Sequence, residues 1–184
     1  MSQQNVRVVR TRTLLRQALI ESIEERGFDR ITVGELTTRA MVSRAAFYRN
    51  YRDKYALVEQ IFDEATAEMT ATDARDDRSP GQRWAGFFTH IDSYHRLYAA
   101  LLGRKGSPWF ADRMRATLAA MSSEHLPGRT ATAFVPSIVG AMFVQSIVWW
   151  LEQDRPCPPE QMAAESAQLI RAVLEAASGE TGPR

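Results

Sequence analysis

Between residues 10 and 26 the small and apolar positions fall at Leu15, Ala18, Leu19, Ser22 and Ile23, while Arg16, Glu21, Glu24 and Glu25 lie elsewhere on the helical wheel. This period of three to four predicts an amphipathic first helix, closed at Gly27, where glycine takes the left-handed conformation without penalty. Phe28 and Ile31 supply apolar anchors for the turn that follows. Thr32 with Glu35 three residues on forms a capping box, which opens a short second helix over 33–40 with Leu36 and Ala40 inward. Ser43 caps a third helix from Arg44 to about Tyr51. Asp53 caps a fourth from Lys54 to about Thr72, whose stripe is Leu57, Val58, Ile61, Phe62 and Ala65.

The run from Thr72 to Gly81 mixes charges of both signs with Ser79, Pro80 and Gly81 and reads as a hinge loop. Pro80 suits the first turn of the next helix, which runs to about Leu102 and carries Trp84, Phe87, Phe88, Ile91, Tyr94, His95, Tyr98, Leu101 and Leu102. Gly103 to Pro108 breaks it. Pro108 to Ser123 predicts a further helix bearing Phe110, Met114, Leu118 and Met121, followed by a loop through Leu126-Pro127-Gly128. A long helix is expected over about 133–152 and a last one from Cys157-Pro158-Pro159-Glu160, with a polar, frayed tail from Ser178. No strand pattern or internal repeat interrupts this series. The chain is therefore expected to be all-α. A three-helix helix-turn-helix head occupies 1–54, a linking helix about 54–72, a ligand-binding and dimerisation bundle 73–178, and a polar tail 179–184.

Charge sharpens this division. The net charge of +1 points to no partner, but residues 1–55 hold 11 Lys/Arg against 6 Asp/Glu and residues 56–184 hold 12 against 16. A basic head suits phosphates, and an acidic body stays off a duplex. Cys157, the only cysteine, excludes an intrachain disulfide and a cysteine-based metal site. The arginine-bearing N-terminus lacks the apolar stretch of a secretory signal, so a cytoplasmic location is expected. From Thr130 to Leu151 there are 22 residues without a charge, long enough for a membrane span. The polar positions within it, and the absence of flanking Lys/Arg clusters, favour instead a helix buried by its own body and a partner subunit.

Helices two and three are each about two turns long and separated only by Met41-Val42-Ser43, and helices so short hold only when another packs across them. This is the helix-turn-helix arrangement, in which the second short helix enters a major groove. With Phe47 in the core, Arg44, Tyr48, Arg49 and Asn50 are presented outward. Taken singly, the arginines also read as solvated surface groups and Tyr48 as a core filler. Together in a basic head they favour a duplex: Arg44 or Arg49 suits guanine, Asn50 suits adenine, and Thr32, Ser43, Tyr48 and Lys54 suit phosphates. Lys54 opens a helix, where a cation is disfavoured, and a docked phosphate would account for it.

Gly27-Phe28, Thr32-Val33-Gly34-Glu35-Leu36, Ala40-Met41-Val42-Ser43, Phe47-Tyr48-Arg49-Asn50-Tyr51 and Asp53-Lys54-Tyr55-Ala56-Leu57 at this joint spacing resemble the N-terminal domain of the TetR family of bacterial transcriptional regulators. The resemblance covers residues 12–65. It implies a dimeric repressor released from operator DNA by a small molecule held in the body. It also implies backbone contacts at Thr32, Ser43, Tyr48 and Lys54, and base contacts around Arg44, Ala45, Ala46 and Arg49. Two positions depart from the family pattern: Met41 stands where a turn glycine is usual, and no histidine lies near Asn50. If position 41 keeps a positive φ, methionine costs about 1–2 kcal/mol of backbone strain there.

In the body, Phe143, Ile147, Trp150, Leu151, Leu169 and Val173 exceed what a small bundle buries alone, so a four-helix interface between two copies is expected. An effector site is expected among Trp84, Phe87, Phe88, His90, Tyr94, Tyr98, Phe110, Met114 and Trp149, a set that equally reads as aromatic core. His90, Tyr94 and Tyr98 share one face at steps of four if the helix is continuous. A planar or lipophilic ligand suits such a lining; no cofactor or metal is implied. Activation of transcription, or an effector-independent regulator, is an alternative within the same fold. A helical enzyme is a remote one, since no Glu-x-x-His set, Ser-His-Asp grouping or phosphate loop appears.

Overall fold

The computed structural model describes residues 3–70, 77–123 and 134–177. Among these residues the regular structure is helical: α1 Gln3–Arg26, a 3₁₀ turn Phe28–Arg30, α2 Val33–Arg39, α3 Arg44–Tyr48, α4 Lys54–Thr70, α5 Pro80–Ser93, α6 His95–Leu102, α7 Pro108–Ser123, α8 Phe134–Glu152 and α9 Pro159–Ala177. The first helix begins earlier than the periodicity alone predicts, and α3 is shorter by about one turn. Of the expected hinge at 72–81, residues 72–76 lie outside the described residues, as do the Leu126-Pro127-Gly128 loop and the tail from Ser178, while 77–79 are irregular and Pro80 opens α5.

The chain forms two compact units. The first comprises 1–70 with 94–107, and the second 71–93 with 108–184. This differs from a simple head-then-body division, because α6 packs with α1. The reason is visible in the apolar faces. Leu97, Tyr98 and Leu101 of α6 are buried in the first unit, whereas Trp84, Phe87 and Phe88 of α5 are buried in the second, where α5 packs on α9. The expected continuous helix over 80–102 breaks at Tyr94, which has φ −119 and ψ 24. The Tyr94 ring is covered by the Arg16 guanidinium at 4.2 Å.

In the first unit Leu15, Leu19, Ile23, Phe28, Leu36 and Phe47 are sealed from solvent. Gly27, at φ 81, ends α1, and the Phe28 N–H then donates to the Lys105 carbonyl at 3.1 Å. The loop after α6 thus closes over the turn after α1.

The second unit is held by rings. Trp84 stacks on Phe87 at 5.3 Å and meets Phe143 edge-on at 4.4 Å, and Phe88 meets Trp150 edge-on at 5.4 Å. The indole N–H groups are satisfied inside: Trp84 donates to Ser166 Oγ at 3.0 Å and Trp150 to the Cys157 carbonyl at 2.9 Å. Such packing requires helices to touch closely. A methyl group at Gly140 of α8 would stand 2.5 Å from the Arg115 carbonyl of α7.

Among the described residues, α8 is the helix long and apolar enough to cross a membrane. Val139, Val144, Ile147 and Trp150 nevertheless form a stripe of helical period buried within the second unit, as expected of a core helix. Its opposite side, with Phe134, Ile138 and Trp149, is exposed within the single chain.

Candidate nucleic-acid interface

The interface is built on local hydrogen bonds that the sequence encodes. The Thr32 hydroxyl accepts from the Glu35 N–H at 3.2 Å, and Glu35 Oε2 accepts from the Thr32 N–H at 2.9 Å, which completes the capping box of α2. Ser43 Oγ accepts from the Ala46 N–H at 3.1 Å and starts α3; Asp53 Oδ1 accepts from the Ala56 N–H at 2.8 Å and starts α4. Side chains clamp α2 to α1: Arg39 forks onto Glu25, with Nη1 to Oε1 at 2.7 Å, and Arg26 pairs with Glu35 at 2.7 Å. Hydrogen bonds from the Thr32 N–H and hydroxyl, and then the charge of Arg26, hold the Glu35 carboxyl below its ordinary value. The fork from Arg39 does the same for Glu25.

On this frame α3 has two contrasting sides. Phe47 is fully buried, with Tyr48 and Tyr51 against its ring at 5.4 and 5.6 Å. Ser43, Arg44, Ala45, Tyr48 and Arg49 are exposed, as is Thr32 at the start of α2, while Ala46 is half-buried. Asn50 is half-buried too, and its amide nitrogen donates to the Ala46 carbonyl at 2.8 Å. One of its two N–H groups is therefore committed to closing α3. Arg44 is not aimed straight outward: it lines a cleft of about 520 Å³ together with Arg26, Thr32, Gly34, Glu35 and Arg39. No feature of hydrophobic period announces that cleft, because it is formed by polar side chains meeting across three elements.

Lys54 departs from the sequence reading. Its ammonium donates to the carbonyls of Phe28, Asp29 and Ile31 at 2.8, 3.0 and 3.0 Å and lies 4.6 Å from the centre of the Phe28 ring. An ammonium has three protons, and all three are directed into the head. Lys54 pins the 3₁₀ turn to α4, and burial lowers its pKa. Sequence alone did not signal this, since its acceptors lie more than twenty residues away. Met41 does hold the left-handed conformation, at φ 53, with its side chain 88% exposed.

The residues singled out as an effector lining divide between the units. Tyr94 and Tyr98 belong to the first; Trp84, Phe87, Phe88, His90, Phe110, Met114 and Trp149 belong to the second. The continuous helix expected to carry His90, Tyr94 and Tyr98 is interrupted at Tyr94. Phe88, Phe110 and Met114 are sealed in the core, His90 is half-buried and Trp149 exposed. Burial raises the pKa of the Tyr98 phenol. Of the residues expected at a dimer interface, Ile147 and Trp150 are fully buried within their own chain, Leu169 is exposed, and Phe143, Leu151 and Val173 are intermediate. Among the described residues no group of three or more His, Cys, Asp or Glu side chains is placed to hold a metal.

Two short capped helices, clamped across a longer one with a polar face outward, define a helix-turn-helix head on a helical body. The family model for bacterial regulatory proteins of the tetR family matches residues 15–61, within the helix-turn-helix head. It is 24% identical over 175 residues to the HTH-type transcriptional regulator YxbF of Bacillus subtilis, covering 89% of this chain and 45% of that protein. The chain thus spans less than half the length of that relative. Among solved structures, a TetR transcriptional regulator from Streptococcus agalactiae superposes with a TM-score of 0.61 at 19% identity, covering 91% of this chain and 97% of that one. The dihydroxyacetone kinase operon activator DhaS superposes with a TM-score of 0.58 at 13% identity, covering 90% and 97%. These likenesses extend the shared fold from the head through the body.

Proposed function

We propose that this protein is a dimeric, ligand-responsive transcriptional regulator, acting as a repressor, whose two heads bind a pseudo-palindromic operator. The observation that carries this reading is the exposed row Ser43, Arg44, Ala45, Tyr48 and Arg49 on a short helix anchored by buried Phe47. Guanidinium groups are the side chains that read guanine edges, while hydroxyls and exposed Thr32 suit phosphates. Each head reads one half-site, and two recognition helices span successive major grooves when they stand about 34–36 Å apart.

The dimer is supported by Phe134, Ile138, Trp149 and Leu169, all exposed large apolar side chains on α8 and α9. A soluble chain rarely leaves so many of these uncovered. Half-buried Phe143, Leu151 and Val173 extend the same interface, and Ile147 and Trp150 brace α8 from inside. The effector is a hydrophobic or aromatic small molecule taken up among the aromatic residues of the body, and its binding lowers operator affinity. DhaS, with the same fold, is an operon activator, and this favours keeping activation as the second reading.

Selection of operator sequences from a random duplex pool, with footprinting, tests the first claim. A two-fold symmetric site protected over both halves is expected, and recovery of no preferred sequence, with binding no tighter than to bulk DNA, sinks it. Tyr48→Ala is expected to weaken binding to every sequence alike, as a phosphate contact does. Sedimentation should give a dimer that Trp149→Glu or Leu169→Glu dissociates. A footprint overlapping the promoter supports repression, and one upstream of it supports activation. Melting shifts across hydrophobic compounds, with none binding, would remove the effector claim.

A further inference from the structure

Gly34 sits inside α2 at a position where no positive φ calls for glycine, and alanine would serve the helix better. What the missing side chain leaves is room. A Cβ built there would lie 2.8 Å from Nη2 of Arg44, 3.6 Å from its Cζ and 3.8 Å from its Nε. The guanidinium therefore occupies the place of side chain 34 and covers the helix backbone.

The surroundings explain why it rests there without being locked. Glu35, the acid nearest in sequence to the seat, is taken by the Thr32 N–H and hydroxyl and by Arg26. Glu21 and Glu25 are taken by Arg39. Among the described residues no carboxylate forms an ion pair with Arg44, which remains exposed. Its charge is held beside the exposed Thr32 end of α2, away from the Tyr48 and Arg49 end of α3.

We propose that Gly34 is a positioning residue for DNA recognition: its bare backbone seats the Arg44 guanidinium on the α2 side of the recognition helix, so that Arg44 meets a backbone phosphate beside Thr32 and leaves base reading to Arg49 and its neighbours. This rests on the DNA-binding reading above. Filling the seat with a methyl group disturbs only the far end of a flexible side chain, so the fold tolerates it. It moves the charge.

The test is a double-mutant cycle with Gly34→Ala and Arg44→Ala in the full-length protein, read by affinity for the selected operator across a salt series, by the base preference recovered from a random pool, and by melting temperature. Gly34→Ala is expected to melt at the wild-type temperature or higher and to lose about tenfold in affinity. Arg44→Ala should weaken all sequences alike and lower the salt slope by about one. Adding Gly34→Ala to Arg44→Ala should then cost nothing further, the sign of one shared interaction. The proposal is overturned if Gly34→Ala binds like wild type, if its loss persists undiminished in the Arg44→Ala background, or if Arg44→Ala changes the preferred base at one position. Failure of the wild-type protein to select any sequence would instead remove the parent reading, so the two failures are separable.

Discussion

The two units are stabilised in different ways. In the first, polar side chains grip backbone groups: Thr32, Ser43 and Asp53 cap helices, and Lys54 collects three carbonyls. In the second, large rings interlock, and the indole N–H groups of Trp84 and Trp150 are satisfied inside. A hydrogen bond has a direction and fixes where a helix begins. Burial of rings is driven mainly by the non-directional removal of apolar area from water. On the proposed function, a head that holds a few atoms in register with a duplex would use the first kind of contact, and a bundle that pairs or takes up a ligand would use the second.

The largest expected effect breaks the second unit. Phe88 is fully buried between Trp84 and Trp150, so Phe88→Ala should cost about 3–5 kcal/mol. All four tryptophans lie in that unit, and urea denaturation followed by their fluorescence reads the loss directly. A shift below about 1 kcal/mol would mean that the ring cluster repacks freely, and the contrast between the units would weaken.

Next comes the head's central clamp. Lys54→Met removes the donor that three carbonyls share and should cost about 2–3 kcal/mol, measured by amide hydrogen exchange over residues 28–40. Below its melting temperature the variant should keep the wild-type salt slope on DNA, since no phosphate contact is removed. A slope reduced by about one would restore Lys54 to the interface.

A smaller effect depends on pH. The carboxyl of Glu35 lies below its ordinary value of 4.5 in the folded head, so its contribution is complete above that value and is lost as pH falls through the lowered one. Exchange protection at the start of α2 should fade in that acid range in the wild type. In Glu35→Gln it should already be weaker at neutral pH and should change less on acidification. Equal acid sensitivity in both proteins would count against the capping box as the group responsible.

The smallest effect is a gain. Met41 at φ 53 carries about 1–2 kcal/mol of strain, from which the extra chain entropy of glycine removes about 0.5–1 kcal/mol. Met41→Gly should therefore stabilise the head by ~0.5 kcal/mol, visible as slower exchange in α2 and α3. A loss of stability would show that the methionine side chain contributes a contact that outweighs its backbone.

The sequence by itself determined most of the helices, the caps at Thr32, Ser43 and Asp53 and the helix-turn-helix spacing, because each of these is decided by groups within about four residues of one another. The tertiary structure alone decided that α5 and α6 part at Tyr94, that Lys54 turns inward, that Arg44 lies over Gly34, and which stripe of α8 is covered. Each of those outcomes depends on acceptors, apolar faces or empty space contributed by distant segments. An apolar position at helical period declares that a side chain will be buried, but only the folded chain supplies the surface that buries it.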